Sequence, residues 1–226
     1  MKPHGVEYLL SDGTINVNII RNTFFMVTQQ LSPLASDEDI ASFFERIESG
    51  YGDPSRRYHN MEHIALMMNM YQECADLFTY PREAVYAIYL HDFVMGFNGS
   101  KDDEEKSADE ASSFLVAHGM KQKDVEIIRE MILGTRHLLP PPVSLDAQLV
   151  ADLDLMSLAL PWDAFHVNTE KIRQEYSAVP TEIFHEKQKA FLKKLIEVKP
   201  SIYLTDFFRE KYETQAKENI ERYYRE

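Results

Sequence analysis

Residues 81–95, PREAVYAIYLHDFVM, decide the fold. Ala84 to Leu90 is apolar on every face of a helix, and Phe93-Val94-Met95 continues the run. A helix of that kind belongs in a protein interior. His91 and Asp92 interrupt it. A carboxylate buried without partners is very costly, so Asp92 calls for a cation or several donors. A structural hydrogen-bonded pair would meet the same need, so the dyad alone assigns no function.

Outward from this stretch the helical period persists. The pattern predicts helices over 19–31, 36–49, 60–79 and 81–95, with Ser36-Asp37-Glu38 capping the second. Gly50, Gly52 and Pro54 break the chain between the second and the third. Residues 97–105 read as an exposed loop, followed by a helix that Gly119 ends. Further helices follow over 123–137, stopped by Pro140-Pro141-Pro142, and over 145–159, 162–178, 181–198 and 203–225. No strand pair stands out. The expectation is a single all-α domain of about nine to ten helices over residues 20–226, after a weakly structured extension over 1–19.

Composition narrows the function classes. The 226 residues include 24 Lys and Arg against 37 Asp and Glu, a net charge of −13. This argues against a general nucleic-acid or anionic-membrane binder, although a local basic site could still hold phosphate. Eight glycines argue against glycine-rich phosphate loops. The lone Cys74 excludes an intramolecular disulfide framework and a cysteine-based zinc site, and is expected as a buried free thiol. No apolar run approaches the ~18–20 residues that span a bilayer. Residues 1–10 do not read as a signal peptide, so the expected location is the cytoplasm. A homo-oligomer is allowed.

Two further polar intrusions matter. Asp152 and Asp154 sit among Leu149, Val150, Ala151, Leu153, Leu155 and Met156. Residues two apart on a helix diverge by about 200°, so one carboxylate can be a ligand and the other a cap or supporting partner. The segment Arg56-Arg57-Tyr58-His59-Asn60-Met61-Glu62-His63 places His59 and His63 four residues apart, on one face if helical. Such a pair can share a metal, or one can bind it while the other handles protons. Arg56 and Arg57 offer planar, always-charged forks suited to phosphate. His63, His91, Asp92 and Asp154 together supply two nitrogens and two carboxylates. That mixed set suits a divalent ion such as Mn, Fe, Co or Zn, and Mg less well.

In these residues the chain resembles the HD-domain superfamily of metal-dependent phosphohydrolases. That family's ordered signature is a His, a His-Asp dyad and a distant Asp, matched here by His63, His91-Asp92 and Asp154. The likeness is to a bacterial group of HD phosphohydrolases and runs from about residue 20 to the end. It is carried by RRYHNMEH (56–63), AIYLHDF (87–93), EEKSA (104–108), TRH (135–137), residues 152–155, IRQEY (172–176) and IYLTDF (202–207). Tyr58-His59-Asn60 followed by His63 is also similar to cyclic-nucleotide phosphodiesterases. The resemblance implies an HD-type helical fold with His63, His91, Asp92 and Asp154 as ligands. Asp152 competes through its Ala-Asp-Leu setting, and the spacing to Ile172-Arg173 favours Asp154. It further implies His59 as the general acid.

The expected activity is metal-assisted hydrolysis of a nucleotide or other small phosphate ester. Asp92 or Asp154 would orient water. Arg56, Arg57, Arg136 and His137 would face the substrate. Leu138 stands where the group often has a second histidine, which weakens the case for a second metal site. His4, His118, His166 and His185 read as ordinary, and Glu104 with Glu105 as a solvated helix start near the site. Three rivals remain. Residues 59–63 also satisfy His-x-x-Glu-His, an inverted zinc-peptidase motif with Glu62 as base, but that leaves His91-Asp92 unexplained. A di-iron oxygenase of the HD type needs more histidines than His118 and His137 supply. A noncatalytic metal-containing binding module would have little use for His59.

Overall fold

Ten α-helices and no strand make up the described part of the computed structural model, residues 6–97, 102–137, 140–198 and 201–225. They are α1 (Val17–Leu31), α2 (Asp37–Tyr51), α3 (Met61–Cys74), α4 (Pro81–Leu90) and α5 (Asp103–Ala117). Then come α6 (Gln122–Gly134), α7 (Leu145–Asp154), α8 (Trp162–Glu175), α9 (Thr181–Lys193) and α10 (Asp206–Arg225). His4, residues 98–101 of the expected loop and Leu138 lie outside the described residues. Of the 1–19 segment, residues 6–16 form a turn closed by one antiparallel bridge between Leu9 and Ile15. Asn69 of α3 pins this turn, accepting from Tyr8 N and donating to Leu9 O at 2.8 Å each.

Local chemistry sets the helix ends. Ser36 and Asp39 cap α2 reciprocally, Asn16 caps α1, Asn60 caps α3 and Ser144 caps α7; such caps are worth about 1 kcal/mol each. Pro81 starts α4, where its missing N–H costs nothing. Gly119 ends α5 at φ 96°, with Leu34 packed against the space a Cβ would need.

Six helices stop short of the extent expected from the pattern, the 123–137 helix at Gly134 and the 162–178 helix at Glu175 among them. The 60–79 helix ends at Cys74 and tightens to a 3-10 turn over Ala75–Leu77. The 81–95 helix ends at Leu90, so His91 is its C-cap rather than an interior residue. The 145–159 helix becomes 3-10 at Leu155, and the 181–198 helix loosens to a π turn at Lys194. Apolar periodicity continues across these changes, and backbone winding is what it does not encode.

The core sits around α4. Ala84 to Leu90 are all buried, and α1, α3, α5, α6 and α7 pack around them. Phe24, Phe44, Tyr86 and Tyr89 form an aromatic cluster on one side, with ring centroids 5.3–5.8 Å apart about Phe24. Cys74 is buried and unpaired. No described helix is long and apolar enough to cross a membrane.

Candidate metal centre

Three helix ends meet beside the buried helix: the N-terminus of α3, and the C-termini of α4 and α7. They deliver His63, His91 with Asp92, and Asp154. One potential ligand atom from each of these four residues lies within 4.8 Å of all the others. His63 Nε2 is 3.3 Å from His91 Nε2 and 3.0 Å from Asp154 Oδ1. His91 Nε2 is 3.1 Å from Asp92 Oδ2 and 3.4 Å from Asp154 Oδ1. Two of the three helix ends present the negative pole of a helix dipole, which favours a cation.

The donor set fits a metal on chemical grounds. His91 Nδ1 lies 2.9 Å from Ile88 O and donates to it. In the neutral ring Nε2 then carries a lone pair, aimed at two carboxylate oxygens. Lone pair against carboxylate is repulsive unless a cation or a proton stands between them. Burial opposes charge on His91, yet the Asp92 and Asp154 carboxylates hold its pKa well above the ordinary range. Burial likewise opposes charge on Asp154, and contacts with His137, His63 and His91 hold it well below the ordinary carboxylate range.

Asp152 has a different partner. It points away from Asp154's site and accepts from Leu204 N at 2.7 Å, Thr205 N at 2.8 Å and Thr205 Oγ1 at 2.7 Å. It ties the approach to α10 onto α7, and burial pushes its pKa up to about 6. The divergence expected for residues two apart on a helix therefore separates a candidate ligand position from a structural one.

His59 is not on a face of α3. The helix begins at Met61, and the turn before it brings the His59 ring to 6.0 Å from that of His63. Glu175, at the end of α8, holds His59 in place. Its Oε1 accepts from the backbone N of Tyr58 and of His59 at 2.8 Å each, and its Oε2 lies 2.7 Å from His59 Nδ1. Burial opposes charge on His59, but the Glu175 bond and the nearby Asp92 and Asp154 carboxylates outweigh it and raise its pKa. Glu175 itself had no assigned role in the sequence, although the IRQEY stretch contains it.

The four residues expected at the substrate divide into two groups. Arg136 and His137 line the cleft that opens onto Asp92, Asp154 and His59. His137 adopts φ 53° and sets its Nε2 2.7 Å from Asp154 Oδ2. That left-handed backbone is unfavourable for a residue with a Cβ by about 1 kcal/mol or more. Arg136 is paired with Glu105 at 2.8 Å and lies 3.7 Å from Glu104. Arg56 and Arg57 line a different groove, on the opposite face of α8. Arg56 is buried, stacks 5.0 Å over Tyr51, and donates to the carbonyls of Asp92 at 2.6 Å and Phe93 at 2.9 Å. Its guanidinium thus clamps the loop that carries Asp92 instead of meeting a substrate. Glu62 pairs with Lys171 at 2.8 Å beside that second groove, which leaves no base at the cluster for the peptidase motif.

The cleft encloses about 500 Å³, within the usual range for small-molecule sites. No family model, curated protein or solved structure matches the chain.

A bound ion should stabilise the fold measurably. Free metal at 100 times its Kd contributes about 2.7 kcal/mol, which for a chain of this length raises Tm by roughly 5–10 °C. Thermal unfolding in Mn, Co, Zn or Mg against EDTA checks this, and a Tm that ignores every ion would remove the metal reading.

Proposed function

We propose that the chain is a metal-dependent phosphohydrolase of the HD type, acting on a nucleotide or another small phosphate ester. The observation that carries this reading is a proton donor beside a four-donor cation site. His59, gripped by Glu175 through Nδ1, opens onto the same cleft as Asp92 and Asp154. The mixed nitrogen and oxygen donors favour Mn, Fe, Co or Zn over Mg.

A divalent ion in this site supplies Lewis acidity to water and to a phosphoryl oxygen. The chain's own residues do the rest. His59, its pKa raised by Glu175 and the nearby carboxylates, would offer a proton from Nε2 to the departing oxygen. Glu175 fixes the tautomer and orientation of that ring. Lys187 presents its ammonium group to the ester, while Arg136 lines the cleft paired with Glu105. Arg56 holds the Asp92 loop in register through its carbonyls.

His137 on the second oxygen of Asp154 favours one other reading, a two-ion site of the oxygenase kind. Both are tested together. The purified protein is incubated with nucleoside monophosphates and simple phosphate esters in Mn, Co, Mg or Fe, and released phosphate is measured. Metal-dependent release supports the hydrolase. No release with any ester, together with oxygen uptake by the iron form, would replace it with the oxygenase; neither activity would leave a metal-containing binding module.

A further inference from the structure

Helix α9 turns one face toward the cleft, through Phe184, Lys187, Gln188, Phe191 and Leu192. These positions follow a single helical stripe. Only Phe184 and Leu192 of this helix are buried. Phe191 is 41% exposed and makes no ring contact among the described residues, although it lines the cleft. Leu158, Phe165 and Ile172 line the same cleft. A cleft that is polar where Asp92, Asp154 and His59 stand and apolar along α9 is shaped for a ligand with the same division.

Charge limits the polar part of that ligand. Asp92 and Asp154 offset a divalent ion, and Arg136 is already matched by Glu104 and Glu105. Lys187 is exposed and has no ion pair among the described residues. One such lysine suits a single phosphate. A chain of phosphates would bring several charges without partners. The Thr135 and Thr169 hydroxyls of the lining donate to their own helices, which leaves the Ser157 and Tyr176 hydroxyls and two amides for the body of the ligand. Asn168 makes no side-chain hydrogen bond among the described residues, and Gln188 accepts from Tyr223 OH at 2.8 Å, which leaves its amide N–H groups available.

Resting on the reading of this cleft as a phosphate-ester site, we propose that α9 is a ring-binding wall. The substrates are esters of one phosphate group with a flat, largely apolar body, which lies against Phe191.

The test uses the metal-loaded protein and phosphonates that cannot be hydrolysed, so binding is read without turnover. Titration calorimetry compares benzylphosphonate, methylphosphonate and methylenebisphosphonate. Benzylphosphonate should bind at least tenfold more tightly than methylphosphonate, in keeping with the usual strength of ring stacking. Methylenebisphosphonate should gain nothing from its second charged group beyond direct chelation of the metal, and its affinity should not depend on Phe191. Phe191→Ala should cut the benzyl-to-methyl ratio to about threefold or less. It should leave methylphosphonate affinity, metal content and Tm unchanged, because the ring is not part of the core. Equal affinity for benzyl- and methylphosphonate, or a ratio unaltered by Phe191→Ala, would overturn the proposal. A ring preference without phosphate release from any ester would instead defeat the hydrolase reading and leave the wall standing. Phosphate release with no ring preference would do the reverse.

Discussion

In an Asp154→Ala variant, metal affinity falls at least tenfold, while Asp152→Ala keeps its metal and loses stability. Asp154 presents its oxygens to His63, His91 and His137, so its removal takes one of four donors from the cation site. Loss of even a supporting partner of a ligand commonly costs 10–100-fold in affinity, so loss of a ligand should cost no less. Asp152→Ala strips partners from two backbone N–H groups and one hydroxyl. Buried donors left without acceptors cost about 1–3 kcal/mol each. With partial access to water, a net loss of roughly 2–4 kcal/mol is expected, or about 5–15 °C in Tm. Metal analysis and thermal unfolding of both proteins decide it. Metal loss in Asp152→Ala with a folded chain would reverse the assignment.

The second large effect concerns His59. His59→Asn should retain metal and fold. Turnover of an ester with a good leaving group, such as p-nitrophenyl phosphate, should change little, because that oxygen departs without a proton. Turnover of an ester with an alkoxide leaving group should fall by about 10²-fold or more. Equal losses on both esters would make His59 a positioning group and not an acid. Glu175→Gln tests the support of the ring. It removes the charge that helps raise the His59 pKa while keeping an acceptor for the backbone N–H groups. A general acid works only below its pKa, and activity declines as pH rises through it. Lowering that pKa therefore moves the alkaline limb of the rate profile toward acid. An unmoved limb would show that Glu175 acts on structure alone.

The fold is legible in the sequence because each helix buries one stripe, and α4 buries all of its faces. His91, Asp92 and Asp154 stand out for the same reason, as polar residues inside apolar runs. His63 is legible through its spacing from His59, although that spacing was read as a shared helical face and the pair is in fact joined across a helix start. Glu175 was not legible. It lies at the polar end of α8, 116 residues from His59, and nothing local marks a glutamate that will be buried against another segment's backbone. The role of Arg56 was hidden for a similar reason. An arginine next to a histidine motif looks like a phosphate fork, and only packing on Tyr51 shows that it faces backbone carbonyls. The Asp152 partners likewise lie 52 and 53 residues downstream.

The downstream anchoring of Asp152 has a consequence for synthesis on the ribosome. All four residues of the candidate metal site have been made once Asp154 is added, yet Asp152 of α7 gains its donors only when Leu204 and Thr205 follow. At ~5–20 residues per second, that interval is roughly 3–10 s. During it the nascent chain holds all four candidate ligands while α7, which carries Asp154, is not yet anchored. Glu175 arrives within the same interval to seize the Tyr58–His59 turn. The centre is therefore completed late in translation, and a chain halted before residue 204 carries its histidines and carboxylates without the tie that α7 depends on.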